Sequence, residues 1–528
     1  METLLHDIRF GLKLLWKEKA FSATVLLTLA VCIGANATIF SVINSVLLRP
    51  LPFDEPDRLV ATFNSYPGAG AERSSSGGPD FFFRRAEMDA LEEIASYQGW
   101  GNTVGEAGSA ERAQSLRVTS TFLDVLRVQP ILGRNFSWEE MDPGNHQKAI
   151  LGYEYWQDRY RGDPSVLGQD IRIDGVPFSI IGVLPEDFRL PGSNEPRDFL
   201  LPIPFPPASR TVEEWHSNNY EQIARLAPGA SIEQARSQVD ALNNRLIDEW
   251  PLPDARQLLT DVGFHTEIHF LKADLLREIR PSLLLLWVGV GFVFLIGCVN
   301  IANLMLARSN VRMRELATRL ALGADRARLG RQLLTEAVLL GMLGGVAGLF
   351  LGFGGLQLLN SLGAQELPRG AEISLDWVVA VFTLFLGVGS GILFGGIPLF
   401  HVMGTDLNTV FRAESRSGTA GHRAMFVRNG LVASQVGIAF VLLIGAGLML
   451  RSFREILEVE PGFEPSGVLS GFVSLPGARY PDLVSQREFT TEFLGQVKAI
   501  PGVEYASLTT MLPFSGSGSS SVIMPEGY

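Results

Sequence analysis

The residues of this chain that could do chemistry are few, and their spacing is wrong for it. His265, Glu267 and His269 form HTEIH, two imidazoles and a carboxylate of the types that hold and assist a zinc ion. In the zinc peptidase pattern HExxH, however, the glutamate follows the first histidine directly. Displaced as it is here, the carboxylate cannot take that role, so these histidines, with the scattered His146 and His216, read as structural or surface residues and no metal site is expected. The two cysteines, Cys32 and Cys298, both fall inside apolar runs and read neither as a disulfide nor as ligands. No GxxxxGK[ST] occurs, so the loop that cradles nucleotide phosphates is missing and ATP hydrolysis by that route is not expected of this chain. The expectation is no catalytic residue and no cofactor. Phe81, Phe82, Phe83, Trp100, Trp138 and Trp156 read as core or interface residues rather than a ligand cage.

The strongest signal is instead a charged stretch, residues 307–332, with seven arginines (308, 312, 314, 319, 326, 328 and 331) against Glu315 and Asp325. It lies between two long apolar runs. An arginine at bilayer mid-depth costs about 2.5–3.5 kcal/mol even on the lenient insertion scale, so the stretch belongs in water, and its charge puts it on the cytoplasmic side. Leu316 and Leu320 with Ala317, Ala321 and Ala324 fall on one flank at helical spacing, and Arg312, Arg319 and Arg326 on another. That pattern predicts an amphipathic helix lying parallel to the membrane, which either rests on anionic headgroups or docks a cytoplasmic partner.

Around this stretch the 528 residues divide by hydropathy into a multi-pass α-helical membrane protein with α+β extracytoplasmic domains. Residues 1–20 predict a cytoplasmic interfacial helix, with Leu4, Leu5, Ile8, Leu12, Leu15 and Trp16 at helical spacing beside Arg9, Lys13, Lys17 and Lys19. The first span is 21–47. Ala35-Asn36-Ala37 mimics a signal-peptidase site, but the apolar run continues past it, so an uncleaved helix is preferred. Further spans follow at 283–306, 333–359, 377–400 and 430–450. The connection 361–376 carries one arginine and three acids and belongs outside; the loop 401–428, with four arginines and two acids, belongs in the cytoplasm. Both agree with a cytoplasmic N-terminus.

The long polar block, 48–280, opens through Pro50, Pro52 and Pro56 and reads as an α+β domain of two lobes. Strands are expected at Leu59–Asn64 and 171–173, a helix at Asp80–Ala95, a strand running into a helix over Ser115–Val128, and a turn at 130–136. Asp174-Gly175 marks a hairpin with Phe178–Val183. A helix at 231–250 has Ser231 as N-cap. Residues 451–528 predict a strand at Gly467–Leu475, a helix near Gln486–Ile500 and a strand at Val503–Thr509, read as the start of a second domain that the sequence cuts short. SVLLRPLPFDEPDRLV (45–60) and REILEVEPGFEPSGVL (454–469) echo one another and suggest a duplicated plan. In the spans, Gly341 and Gly345, then Gly344, Gly348 and Gly352, and Gly387 and Gly391 recur four apart, ridges on which another helix can approach closely. Asn300 and Asn303 are expected to face protein, where interhelical hydrogen bonds offset their cost in hydrocarbon. A formal charge of −12 argues against nucleic acid as a partner.

These residues carry a family resemblance over nearly the whole chain. CVNIANLMLAR (298–308), MRELATRLALGADRARLGRQLLTEA (313–337) and GMLGGVAGLFLG (341–352) resemble the permeases of MacB/FtsX-type ABC transporters. TSTFLDVLRVQPILGRNF (119–136), VLGQDIRIDGVPFSIIGVLPEDF (166–188) and RLAPGASIEQA (225–235) are similar to the MacB-like periplasmic core. The second membrane unit resembles the duplicated permeases of Acidobacteria. The resemblance implies a bacterial inner-membrane protein in which the stretch between the second and third spans is a coupling helix. Its docking contact is implied at Arg314, Glu315, Arg319, Leu322, Gly323 and Ala324. ATP and magnesium would be bound by a separate ATPase dimer, whose closure moves the outer domain, the mode called mechanotransmission. Efflux of an antibiotic, peptide or lipid-like substrate is the implied task, with a periplasmic adaptor and outer-membrane channel as further partners. The alternative is an FtsX-like transmitter that regulates a periplasmic protein. The membrane part is expected to pair as a homodimer or, in a duplicated chain, as a pseudo-dimer.

Overall fold

The computed structural model describes residues 2–105, 111–194, 196–322, 325–363, 373–403 and 420–509, apart from 461, 465, 476 and 478. Its contacts divide the chain into two units, one of Met1–Asp57, Arg189–Glu195 and His269–Gly467, the other of Arg58–Phe188, Pro196–Ile268 and Val468–Tyr528.

The chain begins with helices α1 (Glu2–Lys17) and α2 (Lys19–Ile43), broken only at Glu18, and α2 ends in one π turn, Asn44–Leu48. The second unit then builds an α+β domain. In chain order it holds β1 (Leu59–Tyr66), β2 (Ala71–Ser74), α3 (Gly78–Glu87), β3 (Leu91–Val104), β4 (Glu111–Val118) and α4 (Phe122–Leu126). Next come β5 (Leu132–Gly133), β6 (Lys148–Leu151), α5 (Tyr153–Tyr160), β7 (Asp170–Ile173), β8 (Val176–Val183) and β9 (Phe199–Pro202). It closes with β10 (Glu221–Leu226), α6 (Ile232–Glu249), α7 (Ala255–Asp261) and β11 (His265–Phe270). Among the described residues these strands form one sheet in the order β11-β1-β10-β3-β4-β9-β6-β8-β5, with β2 on β1 and β7 joining β3 and β8.

The two expected lobes are two hydrophobic cores on that single sheet. One gathers Val60, Ile94 and Ala224 under Ala235, Val239, Leu242 and Leu246 of α6, with Phe81, Phe205 and Trp215. The other gathers Ala149, Leu151, Ile171, Ile180 and Phe199 around Trp156. The β7–β8 hairpin turns through Asp174 (φ 51°) and Gly175 (φ 80°), the pair of left-handed residues that a two-residue turn matched to the strand twist requires. Ser231 caps α6 as expected: its hydroxyl accepts from the Gln234 amide at 3.2 Å while the Gln234 side chain accepts from the Ser231 amide at 2.8 Å.

Three local expectations are corrected. The helix expected at Asp80–Ala95 stops at Glu87, because Ile94 and Ala95 enter the sheet as β3, paired through Ala95 with Ile223 and through Ile94 with Ala224. The turn at 130–136 contains the short β5, which pairs Leu132 with Val183. In the C-terminal part the expected helix forms, as Leu483–Lys498, but 467–475 and 503–509 are not strands among the described residues. A strand needs a partner, as β1 has in β10 through Leu59 and Arg225, and among the described residues neither segment pairs with another.

The first unit continues with α8 (Leu271–Leu275), α9 (Arg280–Ala321), α10 (Arg326–Ser361), α11 (Trp377–Met403) and α12 (Ala420–Leu457); the Leu483–Lys498 helix, α13, belongs to the other unit. Five helices among the described residues are long and apolar enough to cross a membrane: Lys19–Leu48, Arg280–Arg308, Ala327–Ser361, Trp377–Gly396 and Val432–Leu457. They lie where the apolar runs predict them.

Replacing Ser231 by alanine removes one half of the α6 cap. It is expected to lower the protection of amides in the first turn of α6 by about 1 kcal/mol in hydrogen exchange of the detergent-solubilised chain, with Ser231→Asp retaining it.

Candidate functional site

The charged stretch between the second and third spans is not a separate amphipathic helix. α9 runs without a break from Arg280 to Ala321, and α10 starts at Arg326 after a turn at Leu322. Nothing between Arg308 and Ala321 interrupts a helix: the segment holds no proline or glycine and is rich in arginine, leucine, alanine and methionine. Asp325 starts the next helix by accepting from the Ala327 amide at 3.2 Å. Arg314, Glu315 and Arg319 therefore ride on the helix of the second span, Leu322 stands 84% exposed at its end, and Gly323 and Ala324 lie outside the described residues.

Just inside this stretch three charged residues from three elements meet. Arg308 on α9 has its Nε 2.8 Å from Glu18, at the α1–α2 break, and its Nη2 3.9 Å from Glu336 on α10. The guanidinium also lies over the Phe21 ring, 4.5 Å from its centroid. Glu336 is 3% exposed and accepts from Gln332 Nε2 at 3.2 Å. An acid this buried at the membrane edge persists only with a partner. Sequence reading passed over it, although one glutamate inside the apolar run 333–359 was a usable signal.

The glycines of α10 form two faces rather than one ridge. A Cβ on Gly341 would fall 2.0 Å from the Gly387 carbonyl oxygen, and one on Gly391 2.6 Å from Val338 Cα, so this face meets α11. Gly345 looks the same way, with the Gly387 Cα 3.7 Å from its would-be Cβ. Gly344, Gly348 and Gly352 instead meet Leu29, Ile33 and Ala37 of α2, at 2.6, 3.0 and 3.2 Å. α10 is thus held between α2 and α11 at backbone contact. Two polar residues that sequence reading did not single out reinforce the seams: Asn36 donates to the Val290 carbonyl of α9 at 3.2 Å, and the Thr38 hydroxyl to the Gly352 carbonyl of α10 at 3.3 Å. Within the single chain Asn300 is exposed on α9, a helix that leaves most of its apolar face uncovered, and Asn303 is half-buried.

In the sheet domain, the histidines do not converge. HTEIH lies on strand β11 rather than on a helix, His265 is held by the Gly263 carbonyl at 2.8 Å and by Glu267 at 3.2 Å, and no cluster able to hold a metal is found among the described residues. What is buried there is a structural polar network. Asp80 and Arg84, both 1% exposed, pair at 3.0 Å; Arg84 donates to Ser76, Gln222, Asn64 and Thr266, and Trp215 Nε1 donates to Asp80 at 2.9 Å. Beside it His216 sits against Trp215, Trp250 and Phe264 with its Nδ1 2.7 Å from the Tyr66 hydroxyl. Burial drives its pKa down to about 4, against a smaller upward pull from Asp80.

Against known proteins, residues 22–242 match the family model described as MacB-like periplasmic core domain, and residues 287–407 the one described as FtsX-like permease C-terminal. The chain belongs to the MacB/FtsX-type ABC transporter permeases. It is a multi-pass helical membrane protein whose sheet domain is a MacB-like periplasmic core. It is 26% identical over 299 residues to the pyoverdine export ATP-binding/permease protein PvdT of Pseudomonas syringae pv. tomato, covering 55% of this chain and 42% of PvdT. It is 23% identical over 294 residues to the macrolide export ATP-binding/permease protein MacB of Wolinella succinogenes, covering 55% and 42%. With the ABC transporter permease YvrN of Bacillus subtilis the identity is 26% over 414 residues, covering 75% of this chain and 96% of YvrN. The match thus spans less than half the length of PvdT and MacB.

Two outcomes test this geometry. Gly341→Ala is expected to destabilise the detergent-solubilised permease by about 1–3 kcal/mol through overpacking, seen as a lower melting temperature, whereas Gly389→Ala, with no atom within 4 Å of its would-be Cβ, leaves melting unchanged. The depressed pKa of His216 means the folded domain holds a neutral ring while the unfolded chain takes up a proton near pH 6.5. Its stability contribution is complete above pH 6.5 and falls by about 3 kcal/mol as the pH drops to about 4. Denaturant midpoints followed by tryptophan emission between pH 7 and 4 should show this slope, and His216→Phe should flatten it.

Proposed function

We propose that this permease is the membrane subunit of a mechanotransmission-type ABC transporter. A separate cytoplasmic ATPase dimer, binding ATP and magnesium, docks on residues 314–324, and its closure rocks the spans and moves the periplasmic domain. The N-terminus is cytoplasmic in this reading. The observation that carries it is the unbroken passage of α9 from the bilayer through the basic stretch. Thirteen residues separate Arg308 from Ala321, so the helix projects about 20 Å beyond the charged cluster as a stiff lever. Force applied at its tip reaches α10, which starts at Arg326, and α1 and α2 through Arg308, Glu18 and Glu336. Glu315 and Arg319, one helical turn apart, offer both charge signs to a partner.

The names of the PvdT and MacB relatives, pyoverdine export and macrolide export, put efflux first, with an antibiotic, peptide or lipid-like compound as cargo. A periplasmic adaptor and an outer-membrane channel fit the same reading, and the little-buried α12 and α9 leave apolar surface for a second copy or a second unit of the permease.

Pull-down of the solubilised chain from its own host is expected to recover an ATPase with the GxxxxGK[ST] loop, and Glu315→Arg or Arg319→Glu to reduce that recovery about tenfold, equivalent to about 1.4 kcal/mol. Undiminished recovery overturns the docking assignment. Stimulation of the recovered ATPase by small amphiphiles supports efflux, and stimulation only by a periplasmic protein supports an FtsX-like transmitter instead.

A further inference from the structure

At the opposite end of the spans, one carboxylate holds the π turn that closes α2. The turn is defined by the Arg49 amide donating to the Asn44 carbonyl at 2.9 Å, an i→i+5 bond. Asp376, the residue before α11, accepts on a single oxygen from both ends of that turn: Oδ2 lies 2.9 Å from Asn44 Nδ2 and 2.6 Å from Arg49 Nη2. Its other oxygen caps α11 by accepting from the Val379 amide at 2.9 Å. Close by, the Ser41 hydroxyl donates to the Ser374 carbonyl at 2.8 Å, and Lys272 Nζ of α8 donates to the Leu48 carbonyl at 3.1 Å. Val42, Ile43 and Val46 of this end are buried against Leu276, Leu283, Leu356 and Ile373, so the collar is dry beneath its polar rim.

The spacing matters because five residues in an α-helix rotate about 500°, leaving the two ends about 140° apart around the axis. One carboxylate oxygen then bridges them less readily, since the arginine must reach round the helix. In the i→i+5 turn the ends lie nearly above one another, and the shared oxygen staples them. A π turn relaxing to α moves everything beyond it by one residue, about 100° of rotation and about 1.5 Å of rise. What lies beyond is Arg49-Pro50, the start of the lead-in to the periplasmic domain, which prolines keep stiff.

We propose that Asp376 is a positioning residue: with Arg49 and Asn44 it clamps the π register at the end of the first span and passes movement of α11 to the lead-in of the periplasmic domain. The clamp stands on its own geometry; the passage of movement rests on the mechanotransmission reading.

The test uses the full chain with Cys32→Ala and Cys298→Ala, carrying a single cysteine in place of Val46, which is 0% exposed, or Leu48, which is 57% exposed. A membrane-impermeant maleimide is expected to label position 48 and not 46. With Asp376→Asn, or with Arg49→Gln should the first variant fail to fold, the difference between the two positions is expected to narrow, with labelling at 48 falling relative to 46, while Arg49→Lys, which keeps the charge, preserves the parent pattern. An unchanged pattern in both Asp376→Asn and Arg49→Gln overturns the clamp. In vesicles bearing the recovered ATPase, ATP is expected to change labelling at 48 in the parent and to lose that effect in Asp376→Asn, with ATPase recovery unaltered. The same ATP response in both overturns the passage of movement, and failure to recover any ATPase counts against the mechanotransmission reading while the register result still decides the clamp.

Discussion

Everything in the membrane part depends on how closely α10 can approach its neighbours. In hydrocarbon there is no water to expel between helices, so association rests on van der Waals contact and a few hydrogen bonds, each worth about 1 kcal/mol. Backbone-to-backbone contact is the means of gaining enough of both. The Gly341–Gly387 crossing and the seating of Leu29, Ile33 and Ala37 in the notches at Gly344, Gly348 and Gly352 bring three helices to that distance. A side chain at Gly341 or Gly387 meets backbone, which cannot yield, and one at Gly344, Gly348 or Gly352 meets the first side-chain carbons of Leu29, Ile33 or Ala37. α10 is therefore the fixed post of the unit, and α9 and α12, which bury far less of their surface, are the helices left free to take a partner or to move.

Polar clusters close the two ends of this post. At the end that carries the basic stretch, Arg308 joins Glu18 and Glu336 and so ties α1, α2 and α10 to α9. On the periplasmic side Asp376 joins Asn44 and Arg49 and ties the start of α11 to the end of α2. Asp376 is held ionised there: burial alone would raise its pKa, and the Val379 amide, Arg49 and Asn44 together bring it below the usual carboxylate range. A charge with so many fixed donors holds one geometry firmly or gives it up altogether, which is the behaviour wanted of a joint between rigid pieces.

The periplasmic domain is tied together as one sheet. Its two cores share one sheet, so displacement of either is carried through continuous strands. The Asp80–Arg84 pair, satisfied by five side chains and the Trp215 indole, pins α3 to β1, β10 and β11. His216, kept neutral among aromatic rings, extends that polar network to the edge of the core.

By itself the sequence determined the five spans, the β7–β8 hairpin and the Ser231 cap. Each of these is written in hydropathy, charge or turn chemistry within a window of a few residues, and such local signals need no partner. It also marked the glycines as close-approach sites, and it missed Glu336 only because one acid inside an apolar run was not weighed. The tertiary structure alone decided which face of α10 meets α2 and which meets α11, that β3 takes over Ile94 and Ala95 from a helix, that Asn300 stays exposed, and that Asp376 reaches both ends of a π turn hundreds of residues away. Helical period gives a face but not its occupant, and propensity gives a strand but not its neighbour. Those choices are made by contacts between segments far apart in the chain, where backbone approach and the need to pair buried polar groups outweigh local preference.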